Sequence, residues 1–112
     1  MKKDYIGVII EESLRDSRIL NKLFITGVKI TNEENPRDRW HMYDVIVSRE
    51  EMDILQKEMD AGKWYMNFDN GFVMVVVYRD RIFEYNLGDK DGRERAVEFG
   101  RSLGIPEKQL DF

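Results

Sequence analysis

Apolar residues recur along the chain in short runs that predict five to six β-strands. Residues 5–10 form an unbroken apolar stretch, which is typical of a strand covered on both faces. Asn70-Gly71 is the strongest hairpin pattern, because a type I′ turn requires positive φ at both central positions. The predicted strands are residues 4–11, 25–33, 40–47, 64–68, 72–78 and 81–87.

Two further segments have the spacing of amphipathic helices. Ser48 and Glu51 fit a capping box, and the apolar residues that follow recur every three or four positions until Gly62. The second helix is expected over residues 91–103, where Gly104 ends it. Residues 11–24 remain unassigned, because their apolar positions fit either a short helix or a packed loop.

The order of elements is therefore β-β-β-α-β-β-β-α, which indicates an α+β fold. At 112 residues the chain has the length of one domain, and we expect residues 1–112 to form it. Tight turns favour antiparallel pairing, so we predict an antiparallel or mixed sheet. The simplest packing places both helices on one face of that sheet.

The strand at residues 72–78 raises a packing problem. Phe72, Met74, Val76 and Tyr78 alternate with three valines, so both of its faces are apolar. Helices on one face leave the other face to be covered by residues 11–24, by a second subunit or by a ligand. A homodimer is the favoured solution, because one patch then covers itself about a two-fold axis.

Composition excludes several kinds of chemistry. The chain has no cysteine and one histidine, which excludes disulfides and thiolate zinc sites, and we expect no metal and no cofactor. Without a signal-peptide pattern or a membrane span, a cytoplasmic location is expected. A net charge of −4 disfavours nucleic acid as a partner. Catalytic motifs are absent, so a non-enzymatic role is favoured.

Four residues are candidates for a binding cleft: Trp40, His41, Trp64 and Tyr65. Binding pockets are mostly apolar with a few polar groups, and this set has that character. His41 shares a strand face with Tyr43, so it is either a structural residue at the margin of the core or a general base. Trp64 and Tyr65 are adjacent in a strand and therefore face opposite sides.

Two stretches carry a resemblance. Lys63-Trp64-Tyr65-Met66-Asn67-Phe68 and the final residues 103–112, which read LGIPEKQLDF, resemble a group of small uncharacterised bacterial and archaeal proteins of similar length. The resemblance covers most of the second half of the chain. That group has no assigned activity, so the resemblance implies no substrate, cofactor or catalytic residue.

Three functions are consistent with these patterns. The first is a self-associating or other interaction module, and the second is a small-molecule binder or enzyme that uses the cleft. Contact with nucleic acid is the weakest of the three, because the basic residues of the chain are interspersed with acidic ones. Those basic residues are Arg15, Arg18, Lys22, Lys29, Arg37 and Arg39.

Overall fold

The computed structural model describes residues 2–112 as six strands, two α-helices and four short 3₁₀ helices. The predicted α+β class and the order of its elements are confirmed. The strands are β1 (Tyr5–Ile10), β2 (Phe24–Ile30), β3 (His41–Val47), β4 (Tyr65–Asp69), β5 (Val73–Tyr78) and β6 (Ile82–Asn86). The helices are α1 (Arg49–Lys57) and α2 (Lys90–Ser102), and the 3₁₀ helices are Glu11–Ser13, Ser17–Lys22, Pro36–Asp38 and Glu107–Gln109.

The six strands form one sheet in the order β2-β3-β1-β4-β5-β6, and every neighbouring pair is antiparallel. β1 pairs with β3 along its whole length, from Tyr5 opposite Val47 to Ile10 opposite Met42. Its ladder with β4 covers only two residue pairs, Ile6 with Asp69 and Gly7 with Phe68. Beyond Gly7, toward Ile10, β1 is therefore not paired with β4.

The two helices lie on opposite faces of the sheet, so the prediction that they share one face is wrong. Met52 and Leu55 of α1 pack in one core cluster with Val75. Ala96 of α2 packs in a second cluster with Val76. Consecutive strand residues point to opposite sides, which separates the helices onto an α1 face and an α2 face. The amphipathic stripe of a helix shows that one side is buried but not which face of the sheet receives it.

This arrangement covers β5 on both sides without a second chain. Val75, Val76 and Val77 are fully buried, the first and third beneath α1 and the second beneath α2. Residues 11–24 add Leu14 and Leu20 to the α1 face. The apolar faces of β5 therefore do not require a partner, contrary to the packing argument from sequence, although Phe72 just before the strand is exposed.

Local sequence sets the ends of both helices. The Ser48 hydroxyl accepts from the Glu51 amide at 3.2 Å, and the Glu51 carboxylate accepts from the Ser48 amide at 2.9 Å, which completes the capping box. Asp89 caps α2 through the Gly92 amide. After α2, residues 103–112 fold back along the α2 face, where Ile105 and Leu110 are buried. We call this stretch the 103–112 segment.

Candidate functional site

β2 is the outer strand of the sheet and leaves large apolar side chains in solvent on both of its faces. Phe24, Val28 and Ile30 are each between 50% and 60% exposed. A β-bulge between Ile25 and Gly27 shifts the register, so Phe24 lies on the α2 face whereas Val28 and Ile30 lie on the α1 face. We call β2 with these side chains the β2 edge.

The other edge of the sheet is better protected. β6 has five residues, and α2 packs directly against it, with Tyr85 buried. Its exposed Glu84 forms an ion pair with Arg49 at 3.0 Å. Short length, charge and a covering helix are the usual ways in which proteins protect an edge strand. Within residues 2–112, β2 is therefore the less protected edge.

An open groove of about 830 Å³ lies on the α2 face, beside the 103–112 segment. Its apolar floor comes from Val8, Ile10 and Met42 on the central strands β1 and β3. The groove lies over the end of β1 that is no longer paired with β4, from Val8 to Ile10. α2 itself covers β5 and β6, so this half of the α2 face has no helix over it.

Three of the four residues predicted for a cleft line this groove. Trp40 and Trp64 meet edge to face, with ring centroids 5.5 Å apart. Trp40 is held through its backbone, since its amide donates to the Thr31 hydroxyl at 2.8 Å and its carbonyl accepts from the Thr31 amide at 3.1 Å. Tyr65 is the third, and it joins the floor of the groove to its wall.

The wall of the groove is the 103–112 segment, which Tyr65 and Arg93 fasten in place. The Tyr65 hydroxyl donates to the Gln109 carbonyl and lies 3.1 Å from Asp111 Oδ1. Burial, followed by the nearby Asp111 carboxylate, raises the pKa of Tyr65 to about 12, so the hydroxyl stays protonated at neutral pH. Arg93 Nε donates to the Phe112 carbonyl at 2.8 Å.

The polar groups along the groove are mostly donors. Lys63 and Lys108 line its exposed rim, and Asn67 lies partly buried beside the floor. Among the described residues the only polar contact of the Asn67 side chain is a 3.9 Å approach of its amide nitrogen to Met74 Sδ. The one carboxylate of the lining, Asp111, already accepts from Tyr65.

His41 is absent from the groove lining within the described chain, and it lies on the α1 face instead. Its Nδ1 lies 2.8 Å from Glu12 Oε2, and its backbone amide donates to Glu12 Oε1 at 2.8 Å. The hydrogen bond to Glu12 raises the pKa of His41. Tyr43 makes a parallel contact, donating to Glu11 at 2.6 Å. His41 thus joins β3 to the Glu11–Ser13 turn, in keeping with a structural role.

Other polar features give no indication of a reactive centre. A second depression, of about 570 Å³, lies between residues 16–23 and α1. Its Asp16 and Arg18 pair with each other at 2.6 Å, and its Glu51 belongs to the capping box. Over residues 2–112, no three His, Asp and Glu side chains are grouped closely enough to hold a metal ion.

Three of the six basic residues named for nucleic-acid contact are occupied, since Arg18 pairs with Asp16. Arg39 donates to the backbone carbonyls of Glu33 and Glu34, at 2.7 and 3.0 Å, and Arg15 donates to that of Lys57. Neither α-helix in the described part of the chain is long and apolar enough to cross a membrane.

No protein-family model, curated protein or solved structure matches the chain. The structure places Trp40, Trp64 and Tyr65, but not His41, along one groove. Sequence reasoning missed the β2 edge, the two lysines and the groove wall. The apolar content of residues 24–30 could have marked the β2 edge, had the position of that strand in the sheet been known. Nothing local in the sequence showed that the 103–112 segment folds back over β4.

Proposed function

We propose that this protein is a non-enzymatic, self-associating interaction module in which a second copy of the chain pairs along the β2 edge. The observation that supports this proposal is the exposure of large apolar side chains on both faces of an outer strand. An outer strand also has a row of backbone donors and acceptors that can bond to another strand. Two copies related by a two-fold axis can bury these side chains and pair these backbone groups through one surface. The lack of cysteine suits the reducing cytoplasm in which we place this module.

β2 does contain two features that restrain indiscriminate pairing. One is the bulge between Ile25 and Gly27, and the other is the exposed Lys29. A bulge and a single cation limit the registers in which another strand can bind, but they leave the apolar side chains in water. These features therefore favour one defined pairing over open-ended aggregation.

Burial of the β2 side chains sets the strength of the contact. Full burial of a valine or isoleucine is worth roughly 1.5–3 kcal/mol, so covering a half-exposed one yields about 1 kcal/mol. The three apolar side chains of the β2 edge in each copy provide several kcal/mol, against an association cost of about 4–15 kcal/mol. Backbone hydrogen bonds, worth roughly 0.5–1.5 kcal/mol each, supply the remainder, so we expect a weak dimer whose population rises with concentration.

Sedimentation velocity and light scattering on three matched lysine variants test the proposal. Val28→Lys places a charge on the β2 edge, at a residue 60% exposed. The substitution removes about 2 kcal/mol of binding free energy over both copies, which weakens the dimer on the order of 30-fold. Ile54→Lys is the control, at a residue of α1 that is 53% exposed. It should dimerise as the unmodified chain does.

A third variant separates edge pairing from stacking of sheet faces. Ile6 is 62% exposed on the α2 face of the central strand β1, away from the β2 edge. Loss of the dimer in Ile6→Lys but not in Val28→Lys would show that the faces stack instead. A chain that stays monomeric at high micromolar concentration would refute self-association altogether. Hydrogen exchange provides a further check, since β2 amides should gain protection as the concentration rises.

A further inference from the structure

We infer that the groove on the α2 face binds a small molecule with a planar apolar body and one carboxylate group. The site differs from the β2 edge in location and in chemistry. Its volume of about 830 Å³ lies within the range of roughly 300–1,000 Å³ that is usual for small-molecule pockets. Its lining also has the usual composition of such sites, an apolar floor with a few polar groups around it.

The aromatic end of the groove selects a planar body. Trp40 and Trp64 meet at an angle of 61°, so their faces and edges form a corner rather than a flat patch. A flat ring placed in that corner stacks on one indole and meets the edge of the other, which is the preferred geometry for aromatic pairs. Val8, Ile10 and Met42 then cover the face that points toward the sheet.

The polar groups of the groove select the charge of the ligand. Lys63 and Lys108 place two ammonium groups at the rim, in a chain whose net charge is −4. Asp111 is the one carboxylate of the lining, so it offsets only one of the two ammonium charges. The indole N–H groups of both tryptophans have no acceptor among the described side chains and backbone groups. Donors without acceptors favour an anionic, acceptor-rich group over a cation or a hydrocarbon.

The groove stays open because its wall is fixed. Leu110 is buried in the second core cluster, and Tyr65 and Arg93 bond to the backbone around it. The 103–112 segment therefore has little freedom to collapse onto the floor. An apolar site held open by its surroundings avoids the cost of reorganisation when a ligand enters.

The two tryptophans of the chain both lie in this groove, so their indole N–H resonances report directly on it. The experiment is a ¹⁵N–¹H titration with 1-naphthoate, alongside the neutral 1-naphthylmethanol as the matched probe. We expect both indole resonances to shift with naphthoate. Exposed ion pairs contribute about 0.2–1 kcal/mol each, so naphthoate should bind on the order of fivefold more tightly than the alcohol.

Lysine variants identify the source of that preference. Lys63→Gln combined with Lys108→Gln should bring the affinity for naphthoate down to that for the alcohol. Lys90→Gln, outside the groove lining, should leave the affinity unchanged. Equal affinity for the two probes in the unmodified chain would refute recognition of the anion. Indole resonances that respond to neither probe at millimolar concentration would refute the site.

The same titration on Val28→Lys keeps this inference separate from the proposed self-association. We expect that variant to bind naphthoate as the unmodified chain does while it fails to dimerise. Loss of naphthoate binding in Val28→Lys would show that the groove is complete only in the dimer, which contradicts a site built by one chain.

Discussion

Leu110 is the side chain that fastens the groove wall to the core, so its removal tests the structure of the site. Leu110 is buried, and it lies against Gly100 of α2 together with the Tyr78 hydroxyl. A side chain at Gly100 would collide with both, which shows how closely the wall approaches the helix. Leu110→Ala leaves a cavity at this contact.

The cost of that cavity follows from burial. Leucine-to-alanine substitutions in cores cost about 2–5 kcal/mol, and the larger values occur where the surroundings cannot collapse. Residues 107–109 beside Leu110 are exposed and can move inward. We therefore expect the lower part of that range, about 2–3 kcal/mol.

Urea unfolding measures this loss. With a slope of about 1–3 kcal/mol per molar urea, the midpoint should fall by roughly 1–2 M. The indole resonances of Trp40 and Trp64 should also shift, because the wall beside them loosens. Leu87→Ala is the control at an exposed leucine, where the expected change is within about 0.5 kcal/mol. A loss below 1 kcal/mol, with unshifted indole resonances, would show that Leu110 does not hold the wall.

Three further predictions concern the fold around the site. Ser48→Ala removes the acceptor for the Glu51 amide and should lower the free energy of unfolding by about 0.5–2 kcal/mol, as measured in urea. Gly7→Ala should destabilise the sheet strongly, with a lowered Tm, because a Cβ there would overlap the Phe68 ring and the Asn67 carbonyl. The ion pair of His41 and Glu12 should stabilise the fold most between about pH 4.5 and 6.5. The plot of Tm against pH for Glu12→Gln should lack that maximum. A plot that keeps the maximum would show that this ion pair does not cause it.

The sign of the pH prediction follows from the two pKa shifts. Burial raises the pKa of Glu12, but the hydrogen bonds from His41 together lower it by more than burial raises it. The net shift is therefore downward from 4.5. The stability that Glu12 contributes is therefore present above pH 4.5 and is lost as the pH falls through the lowered pKa. His41 shifts upward from 6.5, so its contribution is present below that pH and is lost as the pH rises through the raised pKa.

Local patterns predicted most of the secondary structure because local interactions determine it. The capping box placed the start of α1 correctly, and residues 40–47 and 72–78 contain β3 and β5 with an error of one residue at one end. β2 ends at Ile30 rather than at residue 33, because residues 31–33 are polar and outside the ladder. Within residues 11–24, Glu11–Ser13 and Ser17–Lys22 form 3₁₀ helices, which are too short for the apolar pattern to distinguish them from an α-helix or a packed loop.

The faces of the helices depend on the path of the chain through space. α1 connects β3 to β4, which lie on either side of β1, so it must cross over β1 on one face of the sheet. α2 follows the outer strand β6, and a chain leaving an edge can turn back over either face. The side chains of β5 determine which face α2 covers. Because α1 already covers Val75 and Val77, Val76 and Tyr78 are buried only if α2 packs on the other face. The apolar pattern of β5 contained this information, but assigning both helices to one face assumed that a partner would bury the rest.

The same distribution of cover explains why both proposed surfaces lie at one end of the sheet. α1 packs over β1 and β5 on one face, α2 packs over β5 and β6 on the other, and the 103–112 segment extends over β4 as far as the groove wall. The apolar side chains of β2, and of the outer parts of β1 and β3 on the α2 face, are left without cover. Single exposed apolar residues need no explanation, but Ile6 lies on the floor strand β1 and Phe24 lies on β2 beside the floor strand β3. The apolar surface of the groove therefore continues to the β2 edge. Because α2 covers only the β5 and β6 side of its face, the β2 side stays open to the second copy and the small ligand that we propose to bind there.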